Sequence, residues 1–246
     1  MRKVFLADAH LKNPEDYNYG TMIQFLSGLK GNTEALYILG DLFEFWLGYK
    51  NFHFPHYVPV LQQLQELQES GVSIIYFEGN HDFHMGPFFE KTLQARIYRG
   101  PKVLSLDGKK VYICHGDQII SSDYGYRLLR FLMHNRLLKT IFPLVPSWLP
   151  CSVADKMGRH SKGNHEQRKR KWNYKTILKK FAAAKFQAGC DVVIAGHFHT
   201  PFLDISEDGK LEKCLVSLGD WINQFSYGEY IDGKFHLMKF KPELNA

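Results

Sequence analysis

Asp8-Ala9-His10, Gly40-Asp41, Gly79-Asn80-His81-Asp82, His115-Gly116 and Gly196-His197-Phe198-His199 succeed one another along the chain, each just after a short apolar run. Between them they offer carboxylate, amide and imidazole groups, the hard and borderline ligands of divalent cations. An apolar run that ends in such a group reads as a buried β-strand delivering a ligand at its carboxyl end. Neighbouring strands bring those ends to one edge of a sheet. A centre built this way can hold two cations. Such a pair suits hydrolysis at phosphorus, because it lowers the pKa of water and neutralises charge developing on phosphoryl oxygens.

The groups divide into two sets. Asp8 and His10 are two positions apart, so strand alternation predicts that both point to one side and grip one ion. Asp41 follows a glycine that permits a tight bend, and its two oxygens make it the natural bridging ligand. One site is then Asp8, His10, Asp41 and His199, and the other Asp41, Asn80, His115 and His197. Mixed nitrogen and oxygen ligation suits Mn²⁺, Fe²⁺ or Zn²⁺ better than Ca²⁺; two divalent ions are expected, with Mn²⁺ foremost. Each motif alone is weak, since a lone histidine at a strand end is more often a core residue than a ligand. Their joint order carries the reading.

The elements that must position these groups are legible as patterns. Val4–Ala7, Ala35–Leu39, Ser73–Phe77, Val111–Cys114 and Val192–Ala195 read as buried strands. Val60–Ser70 has a helical period with Leu61, Leu64 and Leu67 on one face, closed by Gly71. Thr21–Lys30 is a weaker helix. Strand–helix–strand alternation implies a largely parallel α/β sheet. Asp107-Gly108 and Asp232-Gly233, each between strand-like runs, predict β-hairpins.

The long interval between His115 and His197 is the irregularity. It contains a helical stretch at Tyr124–Asn135, a proline-punctuated apolar run, a basic turn from Arg159 to Lys171 and an amphipathic helix at Tyr174–Gln187. We read residues 1–246 as one domain, with 124–187 a helical insertion capping the site; an ordinary pair of surface helices is the plainer alternative.

Hydrophobic residues are 45% of the 246-residue chain and aromatics 15%, enough for a sizeable core and too many for global disorder. The net charge of +6 favours anionic partners: phosphates, nucleic acid or an acidic membrane face. The four cysteines include no C-x-x-C pair, so reduced thiols in a cytoplasmic protein are expected rather than a zinc ribbon or disulfide framework. The first residues run straight into a strand without the apolar segment of a signal peptide. No run approaches the about 20 apolar residues of a membrane span.

The ordered motifs resemble the calcineurin-like metallophosphoesterase superfamily, with its pattern D-x-H, GD, GNH[DE], H and GHxH. The resemblance implies a sandwich of two mixed β-sheets flanked by helices, and attack on phosphorus by water or hydroxide bridging two metals. It also implies that His81 points to the phosphate, stabilising the transition state or protonating the leaving group. Asp82 would then orient the His81 ring; capping a turn is its alternative role.

A narrower resemblance covers nearly the whole chain. Ala35-Leu36-Tyr37-Ile38-Leu39-Gly40-Asp41-Leu42-Phe43-Glu44, His115-Gly116-Asp117 and Leu218-Gly219-Asp220-Trp221 are similar to the UDP-2,3-diacylglucosamine pyrophosphohydrolases of lipid A biosynthesis. In that family water attacks the α-phosphorus, UMP and an acylated sugar phosphate are released, and the insertion holds the acyl chains. The resemblance implies substrate contacts at Asn80, His81, Asp123, Tyr126, Arg130, Ser161, Asn164, Arg168 and His197. The stretch Ser161-Lys162-Gly163-Asn164 is one residue shorter than the commonest form, which leaves the register of Asn164 and Arg168 open by one position. His81 stands where many members have arginine.

Composition of the insertion points to a lipid independently. Phe131, Leu132, Leu137, Leu138, Ile141, Phe142, Leu144, Val145, Trp148 and Leu149 are interleaved with Arg127, Arg130, Arg136 and Lys139. An apolar face with a basic flank suits peripheral contact with an anionic membrane at its cytoplasmic side; some of these residues must instead form the insertion's own core. Other readings are a nucleotide or nucleic-acid phosphodiesterase on the same scaffold, a protein phosphatase, or a non-catalytic binding scaffold. Against them stand an insertion unlike a stacking groove and a ligand set with no member missing. Neither a nucleic-acid partner nor an obligate protein partner is expected.

Overall fold

The apolar runs that end in motifs form strands, and those strands divide between two sheets. The computed structural model describes residues 2–48, 54–120, 172–208 and 211–242. In chain order the strands are β1 Lys3–Leu6, β2 Ala35–Ile38, β3 Trp46–Leu47, β4 Ser73–Phe77, β5 Asp82–Phe83, β6 Arg96–Tyr98 and β7 Lys102–Leu106. They continue with β8 Lys109–Cys114, β9 Val192–Ala195, β10 Phe202–Asp208, β11 Leu211–Ser217, β12 Ser226–Ile231 and β13 Lys234–Lys239. The α-helices are α1 Tyr17–Ser27, α2 Val58–Glu69 and α3 Tyr174–Gln187.

The first sheet is 6-stranded in the order β13-β12-β1-β2-β4-β6, and the second is 5-stranded in the order β10-β11-β9-β8-β7. β1, β2, β4 and β6 are parallel, with β12 and β13 added antiparallel. In the second sheet β8, β9 and β11 are parallel and the outer strands antiparallel. The expected parallel sheet is thus two mixed sheets, as the superfamily resemblance implied.

Strand alternation builds the layers. Val4 and Leu6 of β1 face one way, with Leu36 and Ile38 of β2, onto Met22, Phe25 and Leu26 of α1 and Val60, Leu64 and Leu67 of α2. Phe5, Tyr37 and Phe77 face the other way, onto Val111, Ile113, Ile194 and Val216 of the second sheet. The outer face of that second sheet carries α3, whose Tyr174, Leu178 and Ala182 pack against Val193, Ala195, Phe198 and Leu215. The order is helix, sheet, sheet, helix. Strands buried on both faces explain why β2, β9 and, after Lys3, β1 are continuous apolar runs.

Local expectations fare unevenly. Both hairpin turns have Asp and Gly in the left-handed region, at φ 48° and 83° for Asp107 and Gly108 and 52° and 77° for Asp232 and Gly233. That is what a type I′ turn requires. Helix α1 starts at Tyr17 rather than Thr21 and ends at Ser27 rather than Lys30. Gly20, a poor helix former, hides its first turn, and burial of Tyr19, Met22, Phe25 and Leu26 overrides the weak propensity. In α2 the buried stripe is Val60, Leu64 and Leu67, with Leu61 at its margin.

Helix α3, counted with the insertion in the sequence reading, lies on the second sheet. Asn173 caps it by accepting a hydrogen bond from Thr176 N at 3.1 Å. The rest of the insertion up to Lys171 falls outside the described residues; Ile119 and Ile120, which precede it, pack against the α3 cluster. Among the described residues no helix is long and apolar enough to cross a membrane.

Candidate metal centre

The loops after β1, β2, β4, β8 and β9 carry the motif residues to one end of the sandwich. Five candidate ligands have left-handed backbone: Asp8 at φ 57°, His10 at 45°, Asp41 at 54°, His197 at 68° and His199 at 48°. This conformation is uncommon outside glycine and costs of order 1–3 kcal/mol where it is strained. Asp8 and His10 are therefore not brought together by strand alternation. β1 ends at Leu6, and the loop beyond is laced to the next one: Asp8 N, Ala9 N and His10 N donate to Gly40 O, Asp41 O and Asp41 O at 3.2, 2.9 and 3.0 Å.

Glycines let these loops close. A Cβ on Gly40, itself at φ 86°, would lie 2.6 Å from Gly79 Cα and 2.8 Å from His115 Nδ1. A Cβ on Gly196 would lie 2.6 Å from Ala7 Cβ and 2.8 Å from Asp8 Oδ2. Side chains at these positions would separate the strands whose ends must converge.

Three groups of side chains are close enough to share a cation: Asp8, His10 and His199; His10, Asp41 and His81; and Asp41, His115 and His197. Asp41 belongs to two of them. Its Oδ2 lies 3.8 Å from His10 Nε2 and 3.4 Å from His115 Nε2. His199 Nε2 lies 3.6 Å from Asp8 Oδ1. Asn80 Oδ1 lies 2.9 Å from His115 Nε2, which is 3.2 Å from His197 Nδ1. The seven residues named from the sequence thus lie together at this end of the sandwich, and His81, not expected as a ligand, is within reach of His10 and Asp41 as well.

Around them the contacts differ from expectation in one respect. Asp82 does not serve as the partner of the His81 ring. Its Oδ2 accepts from Asp41 N at 2.6 Å and Gly79 N at 3.3 Å, while His81 Nδ1 lies 2.6 Å from the carbonyl oxygen of Glu44. The short parallel pairing of β3 with β5 sets Trp46 opposite Asp82, so Glu44 and His81, each just before its strand, lie side by side. Two carboxylates given no role from the sequence also reach the cluster. Glu44 Oε2 lies 3.7 Å from His10 Nδ1, and Asp220 Oδ2 lies 3.6 Å from His199 Nδ1. A carboxylate just past a strand end was the available signal for Asp220, but nothing local links it to a histidine 21 positions earlier.

Electrostatics fit divalent cations. Burial raises the Asp8 carboxyl to about 6, against the pull of His199 and His115. Asp41 is held well below the usual carboxylate range: its burial acts the other way, but His115, His81 and His10 prevail. Burial would lower His115, yet Asp41, Asp8 and Asp117 raise it to about 10. His199 is likewise raised by Asp8 and Asp220 despite its burial. Burial and the neighbouring His81 hold His10 well below its ordinary value, while the buried carboxylates demand positive charge. Divalent ions meet that demand with the imidazoles neutral, as ligation requires. Asp8 Oδ1 and His10 Nε2 are buried without a hydrogen-bond partner, each aimed at its neighbours in the first group. The donor set fits a two-metal centre.

Of the substrate contacts expected from resemblance, Asn80, His81 and His197 lie in this cluster. Asp123, Tyr126, Arg130, Ser161, Asn164 and Arg168 lie outside the described residues.

Comparison with known proteins agrees with this geometry. The model of the calcineurin-like phosphoesterase family matches residues 1–201, which includes every candidate ligand. A UDP-2,3-diacylglucosamine hydrolase of Aeromonas salmonicida is 32% identical over 231 residues, covering 92% of this chain and 88% of that protein. One of Photorhabdus laumondii is 31% identical over 245 residues, covering 98% and 99%. One of Neisseria meningitidis is 30% identical over 231 residues, covering 93% of each. With its fold, its converging ligand loops and a match over most of its length, this chain belongs to the calcineurin-like phosphoesterase family.

Proposed function

We propose that this chain hydrolyses the pyrophosphate of UDP-2,3-diacylglucosamine to UMP and 2,3-diacylglucosamine 1-phosphate, a step of lipid A biosynthesis. The observation that carries the reading is near full-length similarity to hydrolases of that substrate in a chain whose Asp and His side chains gather in groups that could hold metal ions.

Asp8, His10, Asp41 and His199 would hold one ion, and Asp41, Asn80, His115 and His197 the other, with Mn²⁺ the expected metal. Such a pair supplies an activated water and neutralises charge on the phosphoryl oxygens. The chain's own residues do the rest. Asp41 Oδ1 accepts from His81 N at 2.9 Å, which fixes the shared carboxylate beside the GNHD loop. A carbonyl can only accept, so His81 Nδ1 donates to Glu44 O. The remaining nitrogen, Nε2, is the one His81 offers to a phosphoryl or leaving-group oxygen.

The segment 124–187 supplies substrate choice in this reading. Its apolar residues ahead of α3 take the acyl chains, and Asp123, Tyr126, Arg130, Ser161, Asn164 and Arg168 face the sugar and phosphates. Binding energy from distant acyl groups then positions the pyrophosphate. A substrate of this kind places the enzyme at the cytoplasmic face of the inner membrane, in peripheral contact through the basic and apolar surface of that segment.

The test is hydrolysis in ¹⁸O-labelled water with Mn²⁺, read by mass spectrometry, on three substrates: UDP-2,3-diacylglucosamine, a cyclic nucleotide and single-stranded DNA. The expected result is rapid cleavage of the UDP-lipid alone with the label in UMP, as attack at the α-phosphorus requires. Label in the sugar phosphate would overturn the mechanism, and preference for the cyclic nucleotide or DNA would overturn the substrate.

A further inference from the structure

Three imidazoles of the centre, His10, His199 and His115, are backed differently. His10 and His199 both turn Nε2 inward, 4.0 and 3.6 Å from Asp8 Oδ1. Each then turns Nδ1 outward to a carboxylate, Glu44 Oε2 at 3.7 Å and Asp220 Oδ2 at 3.6 Å. His115 also turns Nε2 inward, but its Nδ1 meets the neutral carbonyl of Leu39 at 2.7 Å. Asp117 acts on His115 electrostatically as well, yet the ring's outer nitrogen is taken by that carbonyl.

The Asp220 carboxylate and the Glu44 backbone are both anchored. Asp220 Oδ1 accepts from Ile222 N, Asn223 N and Gln224 N at 3.0, 3.0 and 3.2 Å, leaving Oδ2 for the ring. Trp221 N donates to Asp8 O at 3.0 Å, so the same turn is tied to another ligand of the same set. Glu44 is anchored on either side of its side chain: Glu44 N donates to Leu11 O at 2.9 Å, and Glu44 O accepts from the His81 ring.

We propose that Glu44 and Asp220 are positioning residues that make the Asp8–His10–His199 site the tighter of the two metal sites. A carboxylate behind an imidazole fixes the ring's orientation and tautomer and increases its donor strength. A neutral carbonyl fixes the ring without adding negative charge. The ligand sets reinforce the difference: the first site combines Asp8 with the shared Asp41, whereas the second combines Asp41 with the neutral amide of Asn80. Negative charge held this close in a buried site acts with little screening. The two ions therefore load in order, the Asp8 side first.

This inference rests on the two-metal reading, and direct metal binding separates the two. The full chain, stripped by chelator, is dialysed against graded free Mn²⁺, and bound metal is counted by mass spectrometry for the unaltered protein, Glu44→Gln, Asp220→Asn and Asn80→Ala. Gln and Asn keep the shape and one acceptor oxygen while removing the charge. The unaltered protein should fill in two steps. Glu44→Gln and Asp220→Asn should each move the tighter step to about 10–100-fold higher Mn²⁺, leaving the weaker step and the melting temperature of the stripped protein in place. Asn80→Ala should move the weaker step alone. Indistinguishable steps in the unaltered protein, equal shifts of both steps in the charge-removing variants, no shift, or a parallel fall in melting temperature would each overturn the proposal. No binding of Mn²⁺ by the unaltered protein would instead overturn the two-metal reading beneath it.

Discussion

Oδ2 of Asp82 lies 2.6 Å from the backbone nitrogen of Asp41, and the same oxygen reaches Gly79 N at 3.3 Å. One fully buried carboxylate thus ties the loop that presents the shared ligand to the loop that presents Asn80 and His81. Asp82→Ala would leave two buried N–H groups without an acceptor, at about 1–3 kcal/mol each. The expected outcome is a lower melting temperature together with loss of Mn²⁺ at both sites, read by calorimetry and metal analysis. Normal stability with only a slower turnover would return Asp82 to the role of orienting the His81 ring.

Asp41 belongs to two of the three groups, one with His10 and one with His115 and His197, while Asp8 belongs to one. Asp41→Ala should therefore release both ions at Mn²⁺ concentrations where Asp8→Ala still retains one. Metal counting per chain after dialysis checks this, and equal loss in the two variants would contradict a bridging role for Asp41.

His81→Ala should lower kcat about 10²–10⁴-fold while bound metal stays at two ions per chain. The ring is held through Nδ1 by the Glu44 carbonyl, which leaves Nε2 for the reacting group. Loss of metal in that variant would make His81 a ligand of the His10–Asp41–His81 group.

Gly79→Ala should disable the centre with its fold largely intact. The added Cβ would overlap Asp41 Oδ1 and come within 2.9 Å of Asp41 N, so the shared ligand must move. Circular dichroism near that of the unaltered protein, with metal binding and turnover both lost, is the expected outcome. Retained binding would show that the two loops can separate without cost.

Far from the centre, Asp191 Oδ2 accepts from Lys110 N at 2.8 Å and Oδ1 lies 3.1 Å from the buried Lys213 Nζ. The Lys110 N–H, with Lys213, holds the Asp191 carboxyl below its ordinary value of 3.8. A depressed folded pKa means that the stabilisation is complete above the unfolded value and disappears as pH falls through the folded one. Asp191→Asn should therefore melt below the unaltered protein at neutral pH, with the gap closing as the buffer is taken below about pH 4. A gap independent of pH would assign the effect to shape rather than charge.

The chain's local patterns determine a great deal. Continuous apolar runs identify the buried strands because a strand covered on both faces has no polar side to show. Asp107-Gly108 and Asp232-Gly233 identify hairpins because both residues tolerate the left-handed backbone of a tight turn. The order and chemistry of Asp8, His10, Asp41, Asn80, His115, His197 and His199 point to a candidate metal centre because their carboxylate, amide and imidazole groups follow strands whose ends can converge. What only the tertiary structure decided are the relationships across long stretches of chain. Asp82 caps the Asp41 loop from 41 positions away, and α3 lies on the second sheet rather than standing apart from it. Asp8 and His10 converge through left-handed loop backbone, and Glu44 and Asp220 stand behind two imidazoles. Hydrophobic period and turn chemistry act over a few residues, so they fix elements and ligand types. Which outer nitrogen meets a carboxylate and which meets a carbonyl depends on how the strands are ordered and how their loops are laced together, and no local pattern contains that.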